Sequence, residues 1–455
     1  MTPAPKNNVE ITIIRQYLHF FLYLLIPALT VLSVFPGTVR ATEELESNTD
    51  IPELINDFKS CAVTGLKRIP QLQRSKMEVE IRRLDEDDSR WSYVPRISLS
   101  TNYYFTENDT TISLNAANYR PWEPYFTLAA REIITRIAML EHLKATAQSL
   151  FSLADTLLQI VALDQKNTVY EKMRELSEKK LNYIRQRSQN GTAPPIELEI
   201  AAQEHTVVIS EQQANTIQRD ALLNGLCISL DIPDSGIFKL DSSLVLKQIL
   251  GSSIPSASQK IPQPEDSIAR QIAILKERLQ EKRILLAYSK YMPDVTLGVR
   301  SPDVLNVSVN NEQNLFLYTG ITLTLWDGKK RSRDITRQKM VLRQMKFKNR
   351  AIKNSASLEW FRATKEFSLA KSRNTLFLSS LKLKEIQIKK SESDYSSGSI
   401  SLPELLSLQI DLLRNRIKAI GKNHSTNQAW LKLRHLSGQL LKDTLNISFM
   451  DSSHE

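Results

Sequence analysis

The chain is poor in glycine, cysteine and aromatic residues. Its 455 residues include 12 glycines and 2 cysteines, and aromatic residues make up 7%. So little glycine argues against a protein of many tight turns, and few aromatics are typical of long helices rather than of a large globular core. Cys61 and Cys227 are too far apart in sequence for a metal motif. They could pair in an oxidising compartment, but we favour two buried thiols.

Sequence motifs of catalysis are also missing. The chain has no glycine-rich phosphate loop, no nucleophile elbow and no cluster of metal ligands, and its six histidines are scattered. We therefore expect a protein that is not an enzyme, with no catalytic residue, no cofactor and no metal. The net charge is +10, but basic and acidic residues are mixed along the chain. This mixture indicates solvated helix faces, and we expect no nucleic-acid partner.

The N-terminus has the pattern of a secretory signal. Lys6 and Arg15 precede an apolar run over residues 17–35, and small residues at positions 39 and 41 offer a cleavage site. We expect residues 1–41 to be removed. The alternative is an uncleaved anchor, since about 19 apolar residues nearly span a bilayer. After Ala41 we find no run long and apolar enough for a transmembrane helix, so a mature chain in a membrane would form a closed barrel.

One structural unit occurs twice after this segment. Each copy has a helix, an alternating β-hairpin, a very long helical run, a reversal at glycine and a returning helix. Pro95 and Pro293 open the two hairpins and are 198 residues apart, while Gly191 and Gly398 mark the reversals and are 207 residues apart. A nearly fixed offset predicts a duplicated chain. We divide it into a first repeat (42–230, hairpin 93–119), a connector (231–264), a second repeat (265–441, hairpin 293–326) and a tail (442–455).

The helical runs fall into two length classes. Those over residues 122–189 and 327–396 have about 70 residues each, which corresponds to about 100 Å. Two half-length helices stacked end to end would match one long helix. We therefore expect a mainly α fold with a small β part, in which stacked half-length helices pack beside each long helix. The half-length runs cover 51–85, 195–230, 266–290 and 402–441.

The hairpins alternate between apolar and polar residues. In the second hairpin, Leu305, Val307 and Val309 share one face, and the residues between them are polar. Strands of about ten residues with this alternation are long enough to cross a bilayer at a tilt, with the apolar face toward lipid. The alternative is a β-sandwich or a soluble capping sheet, but four strands are too few for a sandwich core. The pattern therefore favours lipid-facing strands.

Several short motifs recur in the order and spacing of a known family. The chain resembles the TolC-like outer-membrane efflux proteins, the outer membrane factors of tripartite efflux or type I secretion systems, over about residues 50–441. The family strand ends Leu-Phe-Asp-Gly-Gly-Arg-Arg, and here Trp326 replaces Phe and Lys329 replaces the second Gly. The matching segments are Tyr291-Met292-Pro293-Asp294-Val295-Thr296-Leu297, Leu325-Trp326-Asp327-Gly328-Lys329-Lys330-Arg331, Gly191 with Ile196-Glu197, Tyr395-x-x-Gly398, Leu402-Pro403-Glu404-Leu405-Leu406 and His435-Leu436-Ser437-Gly438.

The resemblance implies a passive channel in the outer membrane. Three copies would form a homotrimer, with two β-hairpins per chain in a twelve-stranded transmembrane barrel and the paired long helical hairpins in an α-barrel across the periplasm. The barrel would contact outer-membrane lipid. The reversals would form tips that dock a periplasmic adaptor and, through it, an inner-membrane pump. The implied tip residues are Gly191, Thr192, Gly398 and Ser399.

The resemblance also places a periplasmic aperture near these tips. Tyr395 matches a family tyrosine that ties neighbouring hairpins together in the closed state, and Glu197 matches its acidic partner. Glu404 matches the first acidic residue of the constriction. Ser407 stands at a second acidic position and Ile400 at the position of an arginine link, so the closed-state network would be thinner. For Glu197 and Glu404 the alternative is an ordinary acidic residue in the first turn of a helix.

Two other functions fit the same pattern. A secreted or periplasmic coiled-coil scaffold or adhesin would have the long helices without a pore. A degenerate member of the family would assemble without conducting.

Overall fold

A computed structural model describes residues 55–92, 98–104, 109–119, 122–232, 236, 238–251, 254, 267–301 and 316–445. The chain divides into two units, Met1–Ile51 and Pro52–Glu455, and the described residues belong to the second. The expected signal segment, the lipid-facing Leu305, Val307 and Val309, and most of the connector lie outside the described residues.

The two repeats have helices of the same lengths. In the first, α1 (Phe58–Arg68) leads to α2 (Pro70–Trp91, 22 residues), strands β1 (Ser98–Tyr104) and β2 (Asp109–Tyr119), α3 (Glu123–Gln189, 67 residues) and α4 (Pro195–Ser229, 35 residues). A short α5 (Ser242–Leu250) follows in the connector. In the second, α6 (Ile268–Ser289, 22 residues) precedes β3 (Asp294–Ser301), β4 (Phe316–Thr322), α7 (Lys330–Ser396, 67 residues) and α8 (Leu402–Leu436, 35 residues). The last helix is α9 (Gln439–Leu445).

The four strands form one antiparallel sheet in the order β1-β2-β3-β4. The two hairpins are joined through β2 and β3, where Leu114 pairs with Val299. The register shifts between Ala116 and Tyr119, near the end of β2. Because each hairpin leads directly into a 67-residue helix, the sheet lies at the starting ends of both long helices.

The half-length helices stack as their lengths predict. Along α3, the first half packs against α2 and α6, and the second half packs against α4 and α8. Thr135 on α3 donates to the Arg82 carbonyl on α2, whereas Asn215 on α4 donates to the Leu163 carbonyl near the middle of α3. Helix α7 lies beyond α6 and α8 and packs against both. One chain therefore presents four helical columns side by side, with α2 and α4 at one edge and α7 at the other.

The largest apolar core surrounds the middle of the columns. It joins residues from α1, α3, α4, α5, α7 and α8, including Leu157, Phe367 and Leu431. Helix α5 is fixed there because the Trp430 indole donates to the Leu250 carbonyl at 3.0 Å and the buried Arg434 guanidinium donates to the Ile249 carbonyl. Cys61 and Cys227 belong to the same core and both are buried there, in agreement with the expectation of two buried thiols.

Three boundaries differ from the sequence prediction. The expected first helix is broken at Ile69, because Pro70 supplies no backbone N–H and starts a new helix at its first position. The expected helix to residue 441 ends at Leu436, because Gly438 takes a left-handed φ of 73°. Strand β4 ends at Thr322, three residues before the alternation ends.

One expectation about membrane helices is wrong. Helix α3 contains a stretch long and apolar enough to cross a bilayer, although we expected none after Ala41. In the structure 56% of that stretch is buried against other helices. Its apolar character therefore agrees with its place as the central core helix, in contact with four other long elements.

Candidate functional site

Both reversals use the same turn, in which glycine ends the long helix. Gly191 and Gly398 have φ values of 72° and 76°, which glycine adopts without the clash that a Cβ causes. The Thr192 N–H donates to the Arg187 carbonyl and the Ser399 N–H to the Asp394 carbonyl, both at 2.8 Å. This bond across five residues is the Schellman closure of a helix. The sequence signal of Gly at the tips thus has a direct structural cause.

The two tips expose different side chains on this shared backbone. At the first tip the Arg187 guanidinium donates to the Thr192 carbonyl at 2.9 Å, and the Thr192 hydroxyl donates to the Arg187 carbonyl. At the second tip two serine hydroxyls, those of Ser397 and Ser399, lie 3.0 Å apart. Four residues before its glycine, the first tip has Arg187 and the second tip has Asp394, so a partner could distinguish them by charge.

Glu404 forms a helix cap at the start of α8. Its carboxylate accepts the Ser401 backbone N–H at 2.8 Å and the Ser401 hydroxyl at 3.0 Å. The backbone bond, and then the hydroxyl bond, lower the pKa of the Glu404 carboxyl below its ordinary value. The carboxylate is exposed and stays charged at mildly acidic pH. Its place in a capping box agrees with the alternative of a structural role, and an aperture role stays a prediction.

Glu197 and Tyr395 lie at the tip end of the columns but on different hairpins. Glu197 is exposed in the first turn of α4, and Tyr395 is 41% exposed in the last turn of α7. The Tyr395 carbonyl accepts the Gly398 N–H at 3.0 Å, which fixes the backbone of this turn. Among the described residues no hydrogen bond joins the Tyr395 and Glu197 side chains within one chain. A link between them would need a second copy.

Ser407 and Ile400, which stand where the family has an acidic residue and an arginine, contact only their own surroundings in the chain. The Ser407 hydroxyl donates to the Pro403 carbonyl at 2.7 Å, within its own helix. Ile400 is partly buried in the turn before α8. Within the described part of the chain, no group of three or more His, Cys, Asp or Glu side chains could hold a metal ion.

Sequence reasoning missed an exposed apolar stripe along α4. The exposed isoleucines include Ile217, at 69%, and Ile228, at 81%. The stripe follows an alternating spacing of four and three residues, which is the pattern of a coiled-coil seam. This spacing is readable in the sequence, but only the structure shows that, in the part of the chain it describes, no helix covers the seam. The stripe consists of Ile196, Ile200, Gln203, Val207, Ser210, Ala214, Ile217, Ala221, Asn224 and Ile228.

Helix α7 carries a second exposed stripe at the opposite edge. Leu369, Leu376 and Leu383 are seven residues apart, and Leu376 is 72% exposed. Few side chains of this helix are buried, although it is 67 residues long. Other exposed apolar residues of the helix are Met340, Phe347, Leu358, Phe361 and Ile386.

A groove of about 430 Å³ runs beside the α4 stripe near the first tip. Ile196, Ile200 and Val207 form its apolar wall, and Arg414 of α8 lies at its other side. Glu199, Gln203 and Glu204 supply its polar groups. A groove with this lining can receive the side chains of a further helix.

Comparison with known proteins gives matches by structure alone. No protein-family model and no curated protein matches the sequence. Among solved structures, the outer membrane protein VceC from Vibrio cholerae matches with a TM-score of 0.67 and 13% identity, covering 84% of this chain and 96% of VceC. The Campylobacter jejuni CmeC outer membrane channel matches with a TM-score of 0.66 and 12% identity, over 86% of this chain and 90% of CmeC.

A third match is the Neisseria gonorrhoeae MtrE outer membrane channel in its open state, with a TM-score of 0.64 and 12% identity, over 84% of this chain and 88% of MtrE. This chain has the fold of outer-membrane channels. The mainly α fold of a single chain that the TolC-like resemblance implies is thereby confirmed, while the trimer and the twelve-stranded barrel stay predictions.

Proposed function

We propose that this chain is the outer-membrane subunit of a passive efflux or secretion channel. The observation that carries the proposal is the channel fold itself: one four-stranded sheet leads into two 67-residue helices, and solved outer-membrane channels share this arrangement over most of their length. The alternative of a scaffold without a pore is not favoured, because a scaffold gives no reason for a sheet at the starting ends of the long helices.

Assembly into a homotrimer is supported by the two exposed stripes. The α4 stripe and the α7 stripe lie at opposite edges of the columns, so one copy can place its α7 against the α4 edge of the next. Leu383 lies 13 residues before the end of α7 and Val207 lies 12 residues after the start of α4, so the stripes match in height from the tips. Three copies with four strands each would supply a twelve-stranded barrel.

Charge near the sheet supports the same pairing. Asp88 is exposed on α2 between the exposed Leu84 and Trp91, near the end of that helix. Arg333 and Arg337 lie at the corresponding height on α7, which runs in the opposite direction. A second copy placed edge to edge would bring opposite charges together, which favours this register over a shifted one.

We infer that the tips dock a periplasmic adaptor and, through it, an inner-membrane pump. Two exposed turns of the same backbone geometry, one with Arg187 and one with Ser397 and Ser399, offer a repeated docking point. The aperture role of Glu197, Tyr395 and Glu404 belongs to this proposal. Tyr395 of one copy and Glu197 of the next would be at matching heights, three residues before one glycine and six after the other.

The assembly is tested by extracting the full chain from membranes with detergent and measuring its mass by light scattering. The proposal predicts a three-chain particle that requires detergent and that migrates differently on gels before and after heating, as closed β-barrels do. A soluble monomer or a detergent-independent fibre would contradict it.

A further inference from the structure

The start of α7 holds an unusual concentration of positive charge. Residues 329–353 contain eleven Lys or Arg residues, and Asp334 is their single acidic residue. This excess of ten equals the net charge of the whole chain, so the rest of the chain is neutral on balance. Five of these cations follow an alternating spacing of four and three residues and therefore share one helix face. They are Lys339, Arg343, Lys346, Arg350 and Lys353.

A groove opens at the N-terminal end of this basic face, between the end of α6 and the start of α7. Its volume is about 430 Å³. Two half-exposed tyrosines form one wall, hydroxyl side chains and a lysine form the other, and an isoleucine that is 8% exposed forms the floor. The lining residues are Tyr288, Tyr291, Ser332, Ile335, Thr336 and Lys339.

Cations lie against both tyrosines of the groove. The Lys339 ammonium is 5.5 Å from the centre of the Tyr288 ring, and the Arg331 guanidinium is 5.5 Å from the centre of the Tyr291 ring. A cation over an aromatic face keeps N–H donors available for an anion, and this applies to Lys339, because Arg331 already contacts Asp327 and donates to the Thr324 carbonyl. The groove thus combines positive charge, hydroxyl groups and an apolar floor.

The nearby acidic groups pair with other cations and leave Lys339 and Arg343 unneutralised. Asp334 accepts from Lys290 at 3.0 Å, and Asp327 lies 3.5 Å from Arg331. Among the described residues, Lys339 and Arg343 form no ion pair. The positive charge that faces the groove is therefore available to an external anion.

The groove lies where the chain passes from sheet to helix. Tyr291 precedes β3 by three residues, and α7 begins eight residues after β4 ends. Between β4 and α7, Leu325 is 89% exposed and Trp326 is 76% exposed. Gly328 and Lys329 then take left-handed conformations, with φ of 63° each, and turn the chain into the basic helix. Exposed leucine and tryptophan followed directly by cations is the pattern of a membrane–water interface.

We propose that this groove binds the headgroup of an anionic phospholipid. The phosphate would lie against Lys339 and Arg343, and the Ser332 hydroxyl would donate to a headgroup oxygen. The Thr336 hydroxyl, which donates to the Ser332 carbonyl at 3.0 Å, would accept from a headgroup hydroxyl, and the glycerol would contact Tyr288 and Ile335. A small inorganic anion would use the cations but not the apolar floor, so the lining fits an amphipathic anion. The proposal rests on the proposed membrane placement, which puts the groove at headgroup level.

The test is native mass spectrometry of the full chain purified in a neutral detergent, with dioctanoyl phosphatidylglycerol as the probe and dioctanoyl phosphatidylcholine as its zwitterionic counterpart. The wild type is expected to bind the anionic lipid more tightly than the zwitterionic one. The double variant Lys339→Gln with Arg343→Gln is expected to weaken binding of phosphatidylglycerol about fivefold for each cation removed. Tyr288→Leu, which keeps both cations, is also expected to weaken binding.

The matched control is Lys389→Gln with Lys390→Gln, which removes the same charge from exposed positions near the other end of α7. Equal loss in both double variants, or equal binding of the two lipids, would overturn the proposal. Binding to the single chain that disappears in the assembled particle would also overturn it, because a neighbouring copy would then occupy the groove. The assay needs no ion conduction, so a protein that binds the lipid but forms no pore would refute the channel and leave the lipid site intact.

Discussion

At Gly398 the backbone adopts a conformation that side chains with a Cβ disfavour. Its φ is 76°, and a Cβ at this position would meet no atom within 4 Å. Any cost of substitution therefore comes from the backbone and not from crowding. The same holds at Gly191, so both tips depend on glycine for the same reason.

We expect Gly398→Ala to destabilise the folded chain by about 1–2 kcal/mol, the cost of a left-handed conformation for a residue with a Cβ. Chemical unfolding in detergent measures this change. Gly421→Ala is the control, because Gly421 is helical within α8 and also has open space around it. There alanine should stabilise by about 0.5–1 kcal/mol. A Gly398→Ala variant as stable as the wild type, or more stable, would show that the turn does not require glycine.

Cys61 is expected to be inert in the folded chain. Burial raises the pKa of its thiol to about 12, from an ordinary value of 9.0. Because the folded state holds this proton more tightly, the contribution of the thiol to stability is full below pH 9.0 and is lost as the pH rises toward about 12.

Alkylation with iodoacetamide at mildly alkaline pH measures this directly. We expect no labelling of Cys61 or Cys227 in the native chain, since both are buried, and labelling of both after denaturation. Fast labelling of Cys61 in the native state would mean that the central core opens readily.

At the scale of elements, the α4 stripe is an exposed helix face that no described helix of the chain covers. We expect Ile217→Asp to leave the helical content of the single chain unchanged, because the side chain is 69% exposed there. In a trimer the same change would remove the burial of an isoleucine, about 1.5–3 kcal/mol per interface, and place a charge in the seam. The trimer fraction should fall at least about tenfold by light scattering.

Thr216→Asp is the matched control for this prediction. Thr216 is also exposed on α4, but it lies about 100° around the helix from Ile217. It should keep most of the trimer. Similar losses for both variants would place the contact between copies elsewhere.

The helices were the most predictable elements, for a physical reason. A long run without Gly or Pro contains few residues that end a helix, and the glycines at the reversals mark where the long helices end. Two helix boundaries were not predicted, because each depends on a single residue. Pro70 starts a helix rather than only interrupting one, and Gly438 ends α8 within a sequence that otherwise stays helical.

Contacts between elements were harder to predict from the sequence than the elements themselves. The pairing of β2 with β3 joins residues almost two hundred positions apart, and no local pattern encodes it. The basic face of α7 was missed because its cations are spaced three or four residues apart, so they form no continuous block of like charge. The tyrosine groove requires α6 and α7 to lie side by side, which only the fold provides.

At the scale of the whole molecule, the proposed channel has a pore that is narrowed at the tips. Tyr395 and Glu197 are the residues proposed to hold neighbouring copies together there. A tyrosine hydroxyl that donates to a carboxylate forms a charge-assisted bond, which is stronger than a neutral one. Three such bonds in a trimer would favour the closed state, and the variant Tyr395→Phe with Glu197→Gln would remove all of them.

Single-channel recording in a planar bilayer tests the central claim most directly. The purified trimer should produce discrete conductance steps without any energy source or partner protein, because the chain is proposed to be a passive duct. The double variant Tyr395→Phe with Glu197→Gln should give larger steps than the wild type, since it removes the proposed links at the aperture. A trimer that inserts into the bilayer but gives no conductance step, in either the wild type or the double variant, would contradict the channel function.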